Sequence, residues 1–253
     1  MNPRWRLFGA SVSGTSHLKT GIPCQDAHRY VVLDTGVVIA AVADGAGSAK
    51  HADRGSVLAV EHAVTWLSNH LSARTSSNGI HEADALELMH TMTCEVRANL
   101  ETTVDGDDVV LADFATTLLV CFATKSLLAA CQVGDGAIVS ITDAGKVQTL
   151  TQPNHGEYIN ETTFLTSDTF ADAASYVVQE SSATNSIFMF TDGIQSLALN
   201  LSDYKPHTPF FKNIEQYARS AGANSAAVAS FLASDRVCER TDDDKTLVIA
   251  VRQ

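Results

Sequence analysis

Short apolar runs rich in β-branched residues recur along this chain, and polar turn residues separate them. These runs predict strands over residues 7–12, 30–33, 37–43, 116–122, 127–133, 137–141, 176–179, 187–190 and 245–251. The second and third runs flank Asp34-Thr35-Gly36, which predicts a hairpin. Residues 13–25 are polar and contain Gly14, Gly21 and Pro23, so we expect a loop there.

Two longer stretches carry apolar residues every three or four positions, the spacing of one helix face. They cover residues 57–71 and 85–100, and weaker helical patterns cover 214–221 and 225–232. Strands come first, helices follow, and strands then return. This order predicts a layered α+β domain and not a series of regular βαβ units.

Composition narrows the possible classes of protein. With 253 residues, 45% of them hydrophobic, the chain can bury a substantial core. Its five cysteines, an odd number without paired spacing, favour reduced thiols. We find neither a signal-peptide pattern nor an apolar run long enough for a membrane span, so the sequence predicts a soluble cytoplasmic protein. The net charge of -12 argues against nucleic acid or an anionic membrane as a partner.

Four short acidic motifs are spread from one end of the chain to the other. They are Gln25-Asp26, Asp44-Gly45, Thr191-Asp192-Gly193 and Asp242-Asp243-Asp244. Three of them adjoin an apolar, strand-like run, where a carboxylate is costly unless a cation or hydrogen bonds compensate it. If these strand ends meet, their oxygens would form a site for a hard divalent metal. The ordinary alternative for each Asp-Gly pair is a simple turn.

The order of these and further motifs resembles that of the metal-dependent protein phosphatases of type 2C, the PPM family, and most of all its compact bacterial branch. The resemblance spans residues 10–250 and rests on the following segments: Gly14-Thr-Ser-His17, Pro23-Cys-Gln-Asp26-Ala27, Val42-Ala-Asp44-Gly45-Ala-Gly47, Thr116-Thr117, Val133-Gly-Asp135-Gly136, Phe190-Thr-Asp192-Gly193 and Asp243-Asp244-Lys-Thr246.

This resemblance implies both a fold and a reaction. The implied fold is a four-layer α-β-β-α sandwich with two central, mainly antiparallel sheets, forming a single catalytic domain over residues 1–253. The implied activity is hydrolysis of phosphomonoesters on protein serine and threonine by a water activated between two Mg²⁺ or Mn²⁺ ions. The implied partners are a phosphorylated protein substrate and a partner kinase.

The resemblance also assigns metal ligands. Asp44 resembles the ligand that bridges both metals, and the backbone carbonyl of Gly45 would bind one of them. Asp192 and Asp243 resemble the terminal ligands of the other ion. Asp26 matches the second residue of the family's acidic pair, which holds a metal-bound water.

Three departures from the family pattern bear on catalysis. Gln25 stands where many members have a metal-binding Glu, and Ala46 stands where many have a histidine that protonates the leaving group. His17 and His51 are therefore alternative candidates for the general acid. The family's phosphate-binding arginine also has no counterpart before the acidic pair.

The remaining assignments concern phosphate and a third metal. His17, Lys19 and Arg54 are the candidates for binding the phosphate group. Asp135 resembles a ligand of the accessory third metal of bacterial members, although Ser196 replaces its usual aspartate partner. We therefore expect at most a weak third site.

Two other interpretations stay open at this stage. One is a phosphatase-like binding module of low activity that recognises a phosphoprotein partner, which the three departures favour. The other is a structural domain stabilised by metal without phosphate recognition.

Overall fold

The computed structural model describes residues 5–74, 80–104, 109–153 and 162–253. Within these ranges the strands are β1 (Trp5–Val12), β2 (Asp26–Val32), β3 (Val38–Asp44), β4 (Leu118–Ala123), β5 (Leu127–Val133), β6 (Ala137–Thr142), β7 (Val147–Thr151), β8 (Ser175–Glu180), β9 (Thr184–Phe190), β10 (Leu199–Asn200), β11 (Lys205–Pro206) and β12 (Lys245–Arg252). The helices are α1 (Thr15–Thr20), α2 (Ala52–Arg74), α3 (Glu82–Thr103), α4 (Phe170–Ala173), α5 (Gln195–Ala198), α6 (Thr208–Ala218), α7 (Ser225–Leu232) and α8 (Asp235–Cys238).

Two five-stranded antiparallel sheets form the centre of the molecule. The first has the strand order β2-β3-β4-β5-β8, and the second has the order β1-β12-β9-β6-β7. Helices α2 and α3 pack on the first sheet, and α6 and α7 pack on the second. The predicted four-layer sandwich of class α+β is confirmed.

Alternation of side chains along the strands explains how the sheets become buried on both faces. In β3, Ile39 and Ala41 face the α2–α3 layer, whereas Val38 and Ala40 face the second sheet. The same division holds in β12, where Leu247 faces the helices and Val248 faces the first sheet. Strands of this kind are therefore apolar throughout, which is why they read as continuous hydrophobic runs.

Strand register brings the acidic motifs to one end of this sandwich. Asp26 and Asp44 are directly paired where β2 begins and β3 ends. Phe190, the last residue of β9, pairs with Leu247 of β12 and with Ala137 of β6. The segments that hold Asp192, Asp243 and Asp135 consequently lie side by side.

The structure differs from the predictions in several segments; the helix predicted over residues 214–221, for example, is α6 at Thr208–Ala218. Residues 13–25 are not only loop, because helix α1 forms between Gly14 and Gly21; Gly21 ends it in the left-handed conformation with φ 73°. Strand β7 was not predicted, because its sequence Val-Gln-Thr-Leu-Thr is largely polar. It lies at the edge of its sheet and, among the described strands, pairs with β6 alone.

Two further findings concern thiols and membranes. All five cysteines are free thiols in the structure. Among the described residues, no helix combines the length and apolar character that crossing a bilayer requires.

Candidate metal centre

Three aspartates from different strand ends converge in one cluster. Carboxylate oxygens of Asp44, Asp135 and Asp192 lie within 4.8 Å of one another. Asp243 joins them in lining a cavity of about 210 Å³, which also includes Gly45. The convergence of Asp44, Asp192 and Asp243, on which the sequence prediction depended, is thus observed.

Crowding of half-buried carboxyl groups makes this centre hard to ionise. Burial raises the pKa of Asp192 to about 7, and the nearby Asp135 and Asp243 add to the shift. Burial, followed by the charges of Asp26 and Asp192, raises the pKa of Asp44 well above its usual range. A cation placed among these groups would reverse this effect by favouring the charged carboxylates.

Several buried oxygen atoms around the cluster lack a hydrogen-bond donor among the described residues. They are Gln25 Oε1, Asp26 Oδ1 and Asp135 Oδ1. Buried acceptors normally have a hydrogen-bond partner, so these three unpartnered oxygens indicate a bound ligand. The candidate metal ligands are carboxylate and amide oxygens, which hard cations such as Mg²⁺ and Mn²⁺ prefer. The residues present fit such an ion.

Asp44 is held rigidly by two threonines that directly precede β4. Its backbone N–H donates to Thr117 Oγ1 over 2.9 Å, and its carbonyl accepts from Thr117 N–H over 2.8 Å. The hydroxyl of Thr116 donates to the same carbonyl over 3.0 Å. The Thr-Thr pair therefore fixes the strand end that carries the central aspartate.

Asp244 has a structural role that sequence reasoning missed. This carboxylate is 2% exposed and accepts backbone N–H groups from Gly14 over 2.6 Å and from Gln25 over 2.5 Å. The ring of His17 is its third partner, with Nδ1 3.0 Å from Asp244 Oδ2. Asp244 thus ties the α1 segment and the start of β2 to the loop before β12.

Asp26 lies behind the cavity and does not line it. Its Oδ2 accepts from Thr191 Oγ1 over 2.8 Å, and Thr191 precedes Asp192 in the chain. Burial raises its pKa to about 7. Asp26 is therefore placed to support the cluster from inside the sandwich.

The candidates for phosphate binding are separated by the structure. His17 lines the cavity, whereas Lys19 and Arg54 do not. Arg54 instead lies over the ring of Phe114, with Cζ 5.4 Å from the centroid, and His51 contacts the same ring at 5.3 Å. No lysine or arginine among the described residues lines the cavity.

Asp135 is held by residues that carried no recognisable sequence signal. The hydroxyl of Thr162 donates to Asp135 Oδ2 over 2.6 Å, and the side-chain amide of Gln195 donates to the Asp135 backbone carbonyl. Phe164, two residues beyond Thr162, also lines the cavity. The segment that begins at Thr162 therefore forms part of the wall of the centre.

Arg97 of α3 anchors this wall segment from below. Its Nη1 donates to the carbonyls of Leu165 and Ser167 over 3.0 and 2.7 Å. Its guanidinium also lies over the ring of Phe170, with Cζ 4.8 Å from the centroid. These contacts explain how a mainly irregular segment is held beside the site.

We expect Arg97→Ala to lower the free energy of unfolding by about 2 kcal/mol, because two part-buried carbonyls lose a charged donor. Arg97→Lys should lose less, since the ammonium retains charge but not the forked geometry. Urea denaturation of both variants measures the effect. Equal stability of Arg97→Ala and wild type would contradict it.

The raised carboxyl pKa values also predict how pH affects the metal-free protein. The pKa values of Asp26 and Asp192 rise from 3.8 to about 7 on folding. Between pH 3.8 and about 7 the folded state therefore binds more protons than the unfolded state. Their contribution to stability must therefore decrease as pH rises through this window. As pH rises through this window, wild type should therefore lose stability relative to Asp26→Asn. Urea denaturation with a chelator present measures this difference. A difference independent of pH would refute the assignment.

Comparison with known proteins agrees with this geometry. The sequence profile described as protein phosphatase 2C matches residues 13–233. A curated relative, serine/threonine-protein phosphatase 3 of Escherichia coli (strain K12), is 34% identical over 258 residues and covers 98% of both chains.

Solved structures show the same fold at low sequence identity. Serine/threonine phosphatase Stp1 from Staphylococcus aureus superposes with a TM-score of 0.67 at 12% identity, covering 98% of this chain and 95% of its own. RsbX in complex with magnesium superposes with a TM-score of 0.55 at 14% identity, covering 100% and 98%. The matching profile and the 34% identical relative define the chain as a protein phosphatase. The chain belongs to the protein phosphatase 2C family.

Proposed function

We propose that this protein is a metal-dependent serine/threonine protein phosphatase that hydrolyses phosphomonoesters in one catalytic domain. The observation that carries the proposal is the meeting of Asp44, Asp135 and Asp192 within 4.8 Å, in a chain of the protein phosphatase 2C family. The curated relative of 34% identity, named as a serine/threonine-protein phosphatase, supports the substrate class.

The oxygen-lined cavity suits two Mg²⁺ or Mn²⁺ ions. Asp44 and the Gly45 carbonyl would hold them together with Asp192 and Asp243, and Asp135 would serve a weaker third ion. Such ions supply Lewis acidity toward the phosphoryl group and toward water. Asp26 supports this arrangement through its hydrogen bond from Thr191.

His17 is the residue we assign to the proton of the leaving group. A carboxylate can only accept, so Nδ1–H of His17 donates to Asp244. Nε2 can then protonate the leaving group only from the imidazolium form, in which both ring nitrogens carry a proton. The position of the family histidine is taken by Ala46, which also lines the cavity but has no group to donate. His17 is therefore a candidate general acid within the cavity wall.

We expect His17→Asn to reduce kcat about a hundredfold, because asparagine keeps a donor for Asp244 but supplies no titratable proton. Folding should be preserved, as thermal unfolding would show. Full activity of His17→Asn toward a phosphothreonine peptide would exclude His17 as the acid. A substrate with a good leaving group, p-nitrophenyl phosphate, should be much less affected.

The decisive test of the function is Mn²⁺-dependent hydrolysis of p-nitrophenyl phosphate and of a phosphothreonine peptide. Calorimetric titration with Mn²⁺ runs in parallel. The phosphatase is supported if hydrolysis requires the metal and is abolished by a chelator. Phosphopeptide binding and metal binding without turnover would instead identify a phosphoprotein-binding module of low activity.

A further inference from the structure

A cavity of about 300 Å³ lies on the far side of the second sheet, between helices α6 and α7. Its lining is apolar and includes Ile214, Val228 and Phe231 from the helices. Leu247 and Ile249 of β12 form its floor. The cavity is open to the surface, and an apolar pocket that a ligand can enter is the usual form of a small-molecule site.

A second cavity of about 370 Å³ adjoins the first and has a different character. Asn213, Ile214 and Phe231 line both cavities, so the two share a wall. The second also has Arg236 and Arg240 in its lining. We refer to these two adjoining cavities together as the recess, in which the first cavity is the apolar end and the second is the basic end.

The two arginines at the basic end are available to a ligand. In the part of the chain that the structure describes, neither forms an ion pair within 4.0 Å. Asp235 and Glu239, their neighbours in sequence, do not line the recess. The chain as a whole carries a net charge of -12, so this local positive charge is contrary to the general surface. Guanidinium groups suit carboxylate, sulfonate and phosphate groups because their planar donors match pairs of oxygens.

We propose that this recess binds a small amphipathic anion, with its charged head at Arg236 and Arg240 and its apolar body between α6 and α7. The size and lining are those of small-molecule sites, which combine a mostly apolar wall with a few placed polar groups. The site is separate from the acidic centre, whose lining of carboxylates disfavours anions in the absence of metal. The inference does not depend on the proposed catalytic function.

Fluorescence titration with anilinonaphthalene sulfonate tests the proposal, with phenylnaphthylamine, the same skeleton without the sulfonate, as the uncharged probe. We expect wild type to bind one sulfonate probe per chain. Arg236→Gln combined with Arg240→Gln should weaken binding of the sulfonate about tenfold and leave the uncharged probe unchanged.

Two further variants separate a local site from general effects. Asn213→Trp, at an exposed position shared by both cavities, should obstruct the recess and weaken both probes with little effect on folding. Arg29→Gln combined with Lys125→Gln removes two positive charges elsewhere and should change neither probe. Thermal unfolding establishes that each variant is folded.

Several results would overturn the proposal. They are equal binding of the two probes by wild type, equal weakening in both double variants, and unaltered binding by Asn213→Trp. Sedimentation at the same concentrations tests whether a second copy of the chain occupies the recess instead. A wild-type dimer that dissociates in Asn213→Trp would show this.

Discussion

Asp44→Asn is expected to reduce metal-dependent hydrolysis of a phosphothreonine peptide by more than about a hundredfold. Replacing residues that merely support metal ligands already lowers metal affinity or activity by about ten- to a hundredfold. Asp44 lies in the cluster itself, so its replacement should cost more. Mn²⁺ affinity measured by calorimetry should fall together with activity. Asp192→Asn should behave in the same way.

The same substitution should have the opposite effect on stability without metal. Burial and neighbouring carboxylates raise the pKa of Asp44, so a neutral asparagine removes an unfavourable charge. With a chelator present, Asp44→Asn should therefore unfold at a higher temperature than wild type, whereas added Mn²⁺ should stabilise only wild type.

Asp34→Asn is the matched control, since it makes the same charge change in the exposed turn between β2 and β3. It should alter neither hydrolysis nor the response to Mn²⁺. If Asp44→Asn kept wild-type activity and metal affinity, the aspartate cluster would not be the catalytic centre.

Gly193→Ala is expected to lower the free energy of unfolding by about 3 kcal/mol and to weaken Mn²⁺ binding. A Cβ at this position would overlap the backbone carbonyl of Asp244 and come within 3.3 Å of the Lys245 side chain. Lys245 is fully buried, and the Asp244 side chain is tied to Gly14 and Gln25. The overlap cannot be relieved by a side-chain rotation, so the backbone must move.

The consequence for the site follows from this close contact. The turn that carries Asp192 lies against the loop that carries Asp243, and both residues line the same cavity. Separating the two backbones by the width of a methyl group would separate two proposed ligands. Calorimetric titration with Mn²⁺ and urea denaturation measure the two effects independently.

Gly222→Ala provides the comparison, because a Cβ there would meet no atom within 4 Å. Its stability should remain within about 0.5 kcal/mol of wild type. Similar stabilities of the two alanine variants would show that the chain adapts easily at Gly193. The argument that this contact aligns the centre would then be lost.

Much of the fold was predictable from local pattern. Residues 127–133 and 225–232 coincide with β5 and α7, since apolar runs and helical periodicity act over a few neighbouring positions. Strand β7 escaped prediction because an edge strand needs little hydrophobicity when its partner β6 supplies the pairing. Helix α1 escaped because only one short turn separates its two glycines.

The candidate centre divides in a similar way. Asp44, Asp192 and Asp243 were recognisable because each lies beside a strand in a motif order that resembles a known family. Asp244, Thr162 and Arg97 were not recognisable, because their roles consist of contacts with residues 27 to 230 positions away. A local pattern contains no information on such distant partners.

The sequence by itself determined the layered α+β class, most strand and helix positions, the family resemblance and the acidic residues of the centre. Tertiary structure alone decided that His17 enters the cavity while Lys19 and Arg54 do not, and that Asp244 organises the surrounding loops. It also decided that Arg236 and Arg240 lie beside the apolar cavity between α6 and α7. Periodicity and strand-end chemistry act between neighbours in the chain, whereas the direction of each side chain depends on how whole sheets and helices pack.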